Sequence, residues 1–506
     1  MAISTAPPSF ESVASGRRPG AVRLRAIAER FAPSLIPAFL MAAIGRYHLG
    51  NSTIGWDEFA TVDASRRTPG QILELAGNID GVIAPYYLVM HVWTSFFGYS
   101  EVALRLPSVI TMAIGVGLAG ELGRHLFGPA VGLLTGLILC AVPSLSVFAQ
   151  EARSYGFAFC FAVLATLLCF RAAEKPTVAR WACYGVALAA AGLSHLFTLT
   201  ILAGHAVVVV ARPDNRLAIR RWLIASGVAV LVCAPLIWLG TQQRGGQLAW
   251  IAPLTEDTVL NAPAGIFGLR GSIPNATTRT VGIAFIIIGL AIAVRGRDRR
   301  IVAGLIAVAV APPVILIAAS LIDPVWVPRY SLITVVPLAM LAAATVLGTR
   351  VNRWSALRAA LVLSVLASFA IALVPVLRIP GAHQGGDYRA LARAIADRNL
   401  TDDVIIYPQN NGWALRGAVD YYVDPARRPA DPLLKETALS RGTLAAAEYP
   451  LAERLGTPQH VWYLRALNAT SDPFTSETRL NALMLGYRPV QVWHSEWLYL
   501  ILFEKN

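Results

Sequence analysis

Apolar runs of bilayer length recur from about residue 31 to about residue 377, and they settle most of what this chain can fold into. A run of roughly 20 apolar residues crosses a hydrocarbon core as one helix. Inside lipid, only helices or a closed barrel satisfy every backbone N–H and C=O, and runs this long without alternation are helical. Only 14% of the 506 residues are charged, against roughly 25% in soluble domains. Most of the chain therefore reads as membrane-embedded. The formal net charge of +13 does not point to nucleic acid. The Arg residues fall mostly in short loops between spans, where they set orientation and meet anionic lipid headgroups.

Keeping the basic loops in the cytoplasm threads the chain. The clusters are Arg17 to Arg30; Arg124; Arg171, Lys175 and Arg180; Arg212 to Arg221; Arg295 to Arg300; and Arg350 to Arg358. Between clusters the chain must go out and back, turning near 51–104, 149–153, 195–198, 241–279 and 323–330. A last run, about 359–377, leaves the C-terminus outside. The expectation is a polytopic α-helical membrane protein with about eleven spans in a cell membrane. It has a cytoplasmic basic tail (1–30), read as the start of an uncleaved anchor, and a transmembrane domain (31–378) with a long first outer loop (51–104). Residues 83–98 are apolar too, but counting them as a span would put Arg124 outside. They are expected as an interfacial helix, which suits their Tyr, Trp and Phe. All five cysteines lie in apolar runs, so no disulfide framework or zinc pattern is expected.

After Pro380 the composition turns soluble. Tyr388, Leu391, Ala392, Ile395 and Ala396 keep helical spacing. Residues 403–407 and 459–464 read as strands, 413–422, 448–455 and 476–485 as helices, and 490–503 as one or two strands. Residues 379–506 are thus expected to form a small extracytoplasmic α/β domain. Neither a phosphate loop nor a Ser/His/Asp arrangement is visible in it. Acceptor binding and a structural cap both remain open as its role.

Ionisable residues at membrane depth are costly and default to functional hypotheses. Here they gather at the outer turns: Asp57, Glu58 and Asp80 in the first, Glu151 and Arg153 with the polar Gln150 and with Tyr155 in the second, His195 in the third, Arg329 with Tyr330 in the fifth. Each has a bland alternative. Asp57 and Glu58 could cap a helix, Glu151 and Arg153 could pair, His195 could be a satisfied core residue, and Arg329 could snorkel. Their common face is the stronger argument. Sugar transfer from a phosphate-linked donor needs a carboxylate to take the acceptor's proton, and positive charge or metal for the leaving phosphate.

The ordered series Trp56-Asp57-Glu58, Asp80 with Pro85-Tyr86-Tyr87, Ser100-Glu101 through Arg105 to Ser108, Gln150-Glu151-Ala152-Arg153-Ser154-Tyr155, His195 and Arg329-Tyr330 resembles GT-C superfamily glycosyltransferases. The likeness is to the protein-mannosyltransferase-like branch, which includes bacterial aminoarabinose transferases and actinobacterial members, over about residues 31–350. It implies a polyprenyl-phosphate sugar donor, an active site facing away from the cytoplasm, and Asp57 as general base with Glu58 beside it. Arg153, Arg329, Tyr330 and Tyr155 would meet the donor phosphate. Asp80, Tyr86, Tyr87, Gln150, Glu151 and His195 would line the site. The family commonly begins its Pro-Tyr element with His-Pro-Pro; here Ile83-Ala84 stands before Pro85.

The expected reaction is an inverting single displacement onto a cell-envelope glycan, lipid or protein, with mannose or arabinose as the sugar by analogy. No cofactor is assigned. A divalent metal remains open, with Glu58, Asp80, Glu151 and His195 as candidate ligands. The expected partners are the lipid-linked sugar, membrane lipids and the acceptor. The alternatives are a lipid-sugar flippase or transporter, which should show matched halves or broken midplane helices, and an O-antigen-ligase-like enzyme.

Overall fold

A computed structural model describes residues 19–213, 216–269, 297–349, 351–382, 386–398, 402–409, 412–467, 471–495 and 497–506. The chain begins with α1 (Pro19–Arg46) and an outer segment holding α2 (Trp56–Arg66), α3 (Pro69–Asn78) and α4 (Ala84–Phe97). Then follow α5 (Glu101–Phe127), α6 (Pro129–Cys140), α7 (Pro143–Ala149), α8 (Tyr155–Glu174), α9 (Val178–Ser194), α10 (Ile201–Val210) and α11 (Arg216–Gln247). Short α12 (Glu256–Leu260) and α13 (Ala262–Phe267) lead towards α14 (Arg299–Ala319), α15 (Val335–Leu347) and α16 (Arg353–Val376).

Among the described residues, six helical segments are long and apolar enough to cross a membrane, or seven if α6 and α7, bent by 68°, form one span. Eleven spans were expected. The run between about 279 and 295 lies outside the described residues, as do Arg17 and Arg18. Helix α9 and the segment 196–210, which opens as a 3-10 turn, are apolar but short. Helix α4 has 14 residues, so it reaches only about 21 Å against a hydrocarbon core of roughly 30 Å. It lies against α2 and α3 with Val92, Phe96 and Phe97 exposed.

Small residues let the bundle close. A Cβ on Gly120 of α5 would stand 1.8 Å from the Pro33 carbonyl oxygen of α1, and one on Gly132 of α6 would stand 2.4 Å from Gly120 O. Backbones therefore meet directly, which supplies the packing that membrane helices depend on. A buried polar knot fastens four helices: His205 (α10) lies 3.0 Å from Thr166 Oγ1 (α8) and 3.1 Å from Tyr184 Oη (α9), which accepts from Trp222 Nε1 (α11) at 3.1 Å.

The two ends of the bundle differ. At one end Glu121 accepts from Arg124 at 2.6 Å and pairs with Arg171, and Arg212 meets Glu174 at 3.5 Å. There Arg297 Nη2 donates to Gly348 O at 2.7 Å, closing α15. The turns at 150–154, 195 and 328–330 gather at the other end.

That other end carries the α/β unit: α17 (Tyr388–Arg398), β1 (Val404–Ile406), α18 (Gly412–Tyr422), β2 (Leu434–Glu436), β3 (Ala447–Glu448), α19 (Leu451–Arg454), β4 (His460–Ala466), α20 (Thr478–Met484), β5 (Tyr487–Ser495) and β6 (Leu498–Lys505). The order is β1-β4-β6-β5, with β1 parallel to β4 and the other pairs antiparallel. The helix expected over 448–455 shrinks to the single turn α19, because Ala447 and Glu448 pair with β2 instead. Side chains alternate along β4. Val461 and Tyr463 pack with α20, while Trp462 and Leu464 join a core shared with Phe59, Tyr86 and Tyr87 of the first outer segment. The unit is therefore built into that segment. Arg389 pairs with Glu101 and donates to Asn51 O at 2.7 Å, and Thr53 Oγ1 donates to Gly386 O at 2.9 Å.

Candidate active site

The first turn of α2 separates its two acids. Gly55 is the N-cap, and its N–H donates to Glu58 Oε2 at 2.7 Å. Arg105 Nε donates to Glu58 Oε1 at 2.8 Å and Nη2 to Oε2 at 2.6 Å, and Ala152 N–H also reaches Oε1, at 2.7 Å. Glu58 and Arg105 are fully buried. Removing either would strand the other as a buried charge, at a cost of about 3–5 kcal/mol. The capping role thus belongs to Glu58, whose oxygens are both engaged. That geometry makes Glu58 a holder of the loop, not a base or a metal ligand.

Asp57, one residue earlier on the helix, turns the other way. Its side chain is 36% exposed, and its contact with Arg329 is a 3.5 Å ion pair from Nη2 to Oδ2. That is long for a hydrogen bond. Arg153 reaches the same spot from the α7–α8 turn: Nη1 donates to Asp57 O at 3.2 Å and to Tyr87 Oη at 3.3 Å. Tyr87 Oη donates to Asp80 Oδ2 at 2.7 Å, and Gln247 Nε2 to Asp80 Oδ1 at 3.2 Å. Asp80 has φ of 58°, a region few non-glycine residues adopt and Asp tolerates best. These two hydrogen bonds hold it there.

Arg329 is enclosed by aromatic rings: its guanidinium carbon lies 5.4 Å from the Tyr155 ring, 5.2 Å from Trp250 and 5.8 Å from Tyr330. Its Nε is buried without a hydrogen-bond partner among the described residues. Rings attract the cation without taking its N–H groups, so donors remain for an anion. His195 packs 4.5 Å from Tyr330, ring to ring. Burial, aided by Arg329 and Arg153, pushes its pKa down to about 3. It is a neutral wall at any physiological pH. Burial pushes Glu151 up to about 7, against the pull of Arg329.

A cavity of about 1280 Å³ opens here. Asp57, Asp80, Arg153, Tyr155, His195, Arg329 and Tyr330 all line it. Other expected residues do not. Gln150 is buried, donating to Gly45 O at 2.8 Å and Tyr47 O at 2.7 Å to clamp the end of α1. Tyr86 packs against Phe157 in the core, Tyr87 acts from behind through Asp80 and Arg153, and Glu151 lies outside the lining. Among the described residues no three His, Cys, Asp or Glu side chains come together to hold a metal. The four candidate ligands are thus dispersed.

Sequence reasoning missed Trp250, Gln247, Trp413 and the segment 441–445, all in the cavity wall. Gln247 has a signal in the polar run Gln242 to Gln247, which reads as loop but continues α11. Trp413 had none, since long-range packing alone brings it here.

Residues 84–238 match the family model for dolichyl-phosphate-mannose-protein mannosyltransferases, a stretch that begins after Asp57. The fold is similar to that of ArnT from Cupriavidus metallidurans bound to undecaprenyl phosphate, with 16% identity over 92% of this chain and 97% of that one and a TM-score of 0.54. The apo state of ArnT matches at 15% identity over 96% and 97%, with a TM-score of 0.51. No curated protein matches the chain significantly in sequence. The ArnT-like fold and the family-model match over part of the chain both agree with the resemblance of the ordered motifs.

Proposed function

We propose, from the ArnT-like fold, that this chain is a membrane glycosyltransferase of the GT-C superfamily that moves a sugar from a polyprenyl-phosphate donor to a cell-envelope acceptor. The observation that carries the reading is the Asp57 carboxylate facing the Arg329 guanidinium at the cavity wall. A base and an anion holder a few ångströms apart are what this reaction requires. The neighbouring fold of ArnT holds undecaprenyl phosphate in its crystal, which supports a lipid phosphate as donor. The gathering of Arg124, Arg171, Arg212 and Arg297 at the opposite end supports placing that end in the cytoplasm and the cavity outside.

In the proposed reaction, the acceptor hydroxyl gives its proton to Asp57 as its oxygen attacks the anomeric carbon. The bond from that carbon to the phosphate oxygen breaks, and polyprenyl phosphate leaves carrying the electron pair. Arg329 and Arg153 stabilise the charge that grows on it. One displacement inverts the anomeric configuration. Mannose and arabinose are the sugars to try first.

The test supplies purified chain in nanodiscs with polyprenyl-phosphate mannose, polyprenyl-phosphate arabinose or polyprenyl-diphosphate mannose. Release of polyprenyl phosphate from a monophosphate donor is expected. Turnover of the diphosphate donor alone, or lipid translocation with no sugar released, would overturn the reading.

A further inference from the structure

Three of the chain's twelve tryptophans, Trp56, Trp250 and Trp413, line the one cavity. Trp250 stands over Arg329. The other two meet each other edge to face, ring centres 6.0 Å apart and planes at 78°. Trp56 precedes Asp57 in the first outer segment, and Trp413 arrives from α18. Both are half-buried, so each keeps indole surface open. Arg441, Thr443 and Leu444, from the loop between β2 and β3, extend that wall.

This loop is fixed, not a flap. Asn78 Nδ2 donates to Gly442 O at 3.0 Å, and Arg67 Nη2 donates to Thr443 O at 2.5 Å. Gly442 has φ of 59°, and a Cβ on it would stand 2.9 Å from Asn78 and Glu74. Arg441 donates to Ala445 O at 3.1 Å, and no carboxylate among the described residues pairs with it.

We propose that the C-terminal unit supplies the acceptor site, that the acceptor is a carbohydrate, and that Trp413 and Trp56 hold its sugar ring beside Asp57. The proposal rests on the glycosyltransferase reading above. A pyranose presents a face of C–H groups, which packs against the electron-rich face of an indole. Its hydroxyls need polar neighbours, and Thr443 and Arg441 stand beside the rings. One recurrent way to hold an extended peptide acceptor is addition to a sheet edge. Neither edge strand, β1 or β5, contributes a residue to the cavity. Trp413 and Arg441 are then specificity-determining residues, and the unit is a working half of the site.

Saturation-transfer NMR on the full chain in nanodiscs tests this without a donor, using α-linked mannobiose and a Ser/Thr octapeptide as probes. Mannobiose C–H protons should take up saturation and the peptide should not. Trp413→Ala should weaken mannobiose binding about tenfold and Trp413→Phe should restore most of it, as expected for an aromatic platform. Arg441→Ala, on an exposed loop, should weaken it less and leaves folding out of question. Polyprenyl-phosphate binding should be unchanged in all three. Peptide binding in place of sugar binding, or wild-type mannobiose binding in both Trp413→Ala and Arg441→Ala, would overturn the inference. Donor turnover without any sugar binding would also overturn it, while leaving the glycosyltransferase reading intact.

Discussion

Asp57, Glu58, Asp80 and Glu151 all stand in the outer segments, and their surroundings give them four roles. Glu58 is locked by Arg105, Gly55 and Ala152. Asp80 is tied by Tyr87 and Gln247. Asp57 faces the cavity with one long contact. Glu151 is raised from 4.5 to about 7 by burial, and this makes a pH prediction. The folded state holds that proton more tightly than the unfolded chain does. The stability Glu151 contributes is complete below about pH 4.5 and is lost as pH rises through about 7. Glu151→Gln keeps a neutral group at every pH. Its Tm should exceed that of the wild type at pH 8 by a margin that closes as the pH falls to 4.5. Parallel Tm curves across that range would remove Glu151 from the account. The acidic pair was legible in the sequence, and the family resemblance favoured Asp57, but what holds Glu58 away from the cavity was not legible. It depends on Arg105, which lies 47 residues further along the chain, on α5, and reads in isolation as another charged residue near a span.

Helix α11 reaches beyond the membrane to hold the outer segment. It runs 32 residues, about 48 Å at the usual rise, so it outlasts any bilayer. Its free end props the first outer segment: Gln243 accepts from Gly81 N–H at 2.9 Å and donates to Ala76 O at 2.8 Å. These bonds set the bend that presents Asp80. Gln243→Ala should cost roughly 1–3 kcal/mol locally for the two bonds. Amide exchange of residues 76–83 should then quicken by roughly 5- to 150-fold, with the transmembrane helices unaffected. Unchanged exchange there would mean that α11 props nothing. Charge and hydropathy placed the ends of most helices, because water and lipid sort those residues regardless of tertiary detail. They could not say that a polar run stays helical beyond the membrane, since a helix end in water is held by whatever it touches.

At the scale of the molecule, the transmembrane bundle and the C-terminal unit act as one body, since Trp462, Leu464 and Leu500 share a core with Phe59 and Tyr87. The alternation of helices and strands after Pro380 was readable, because each element carries its own period. Its attachment was not, because residues such as Tyr388 and Trp413 look like any soluble core. The cavity is the product of that attachment, walled by both parts. The proposed reaction stands or falls on Asp57 as the base of a lipid-donor sugar transfer at this cavity. Asp57→Asn keeps the shape and removes the basic oxygen. In nanodiscs with whichever monophosphate donor the wild type uses, the rate of sugar transfer should fall by roughly 10²–10⁴-fold, with polyprenyl-phosphate binding and Tm close to wild type. A folded Asp57→Asn protein that transfers sugar at near the wild-type rate would contradict the account.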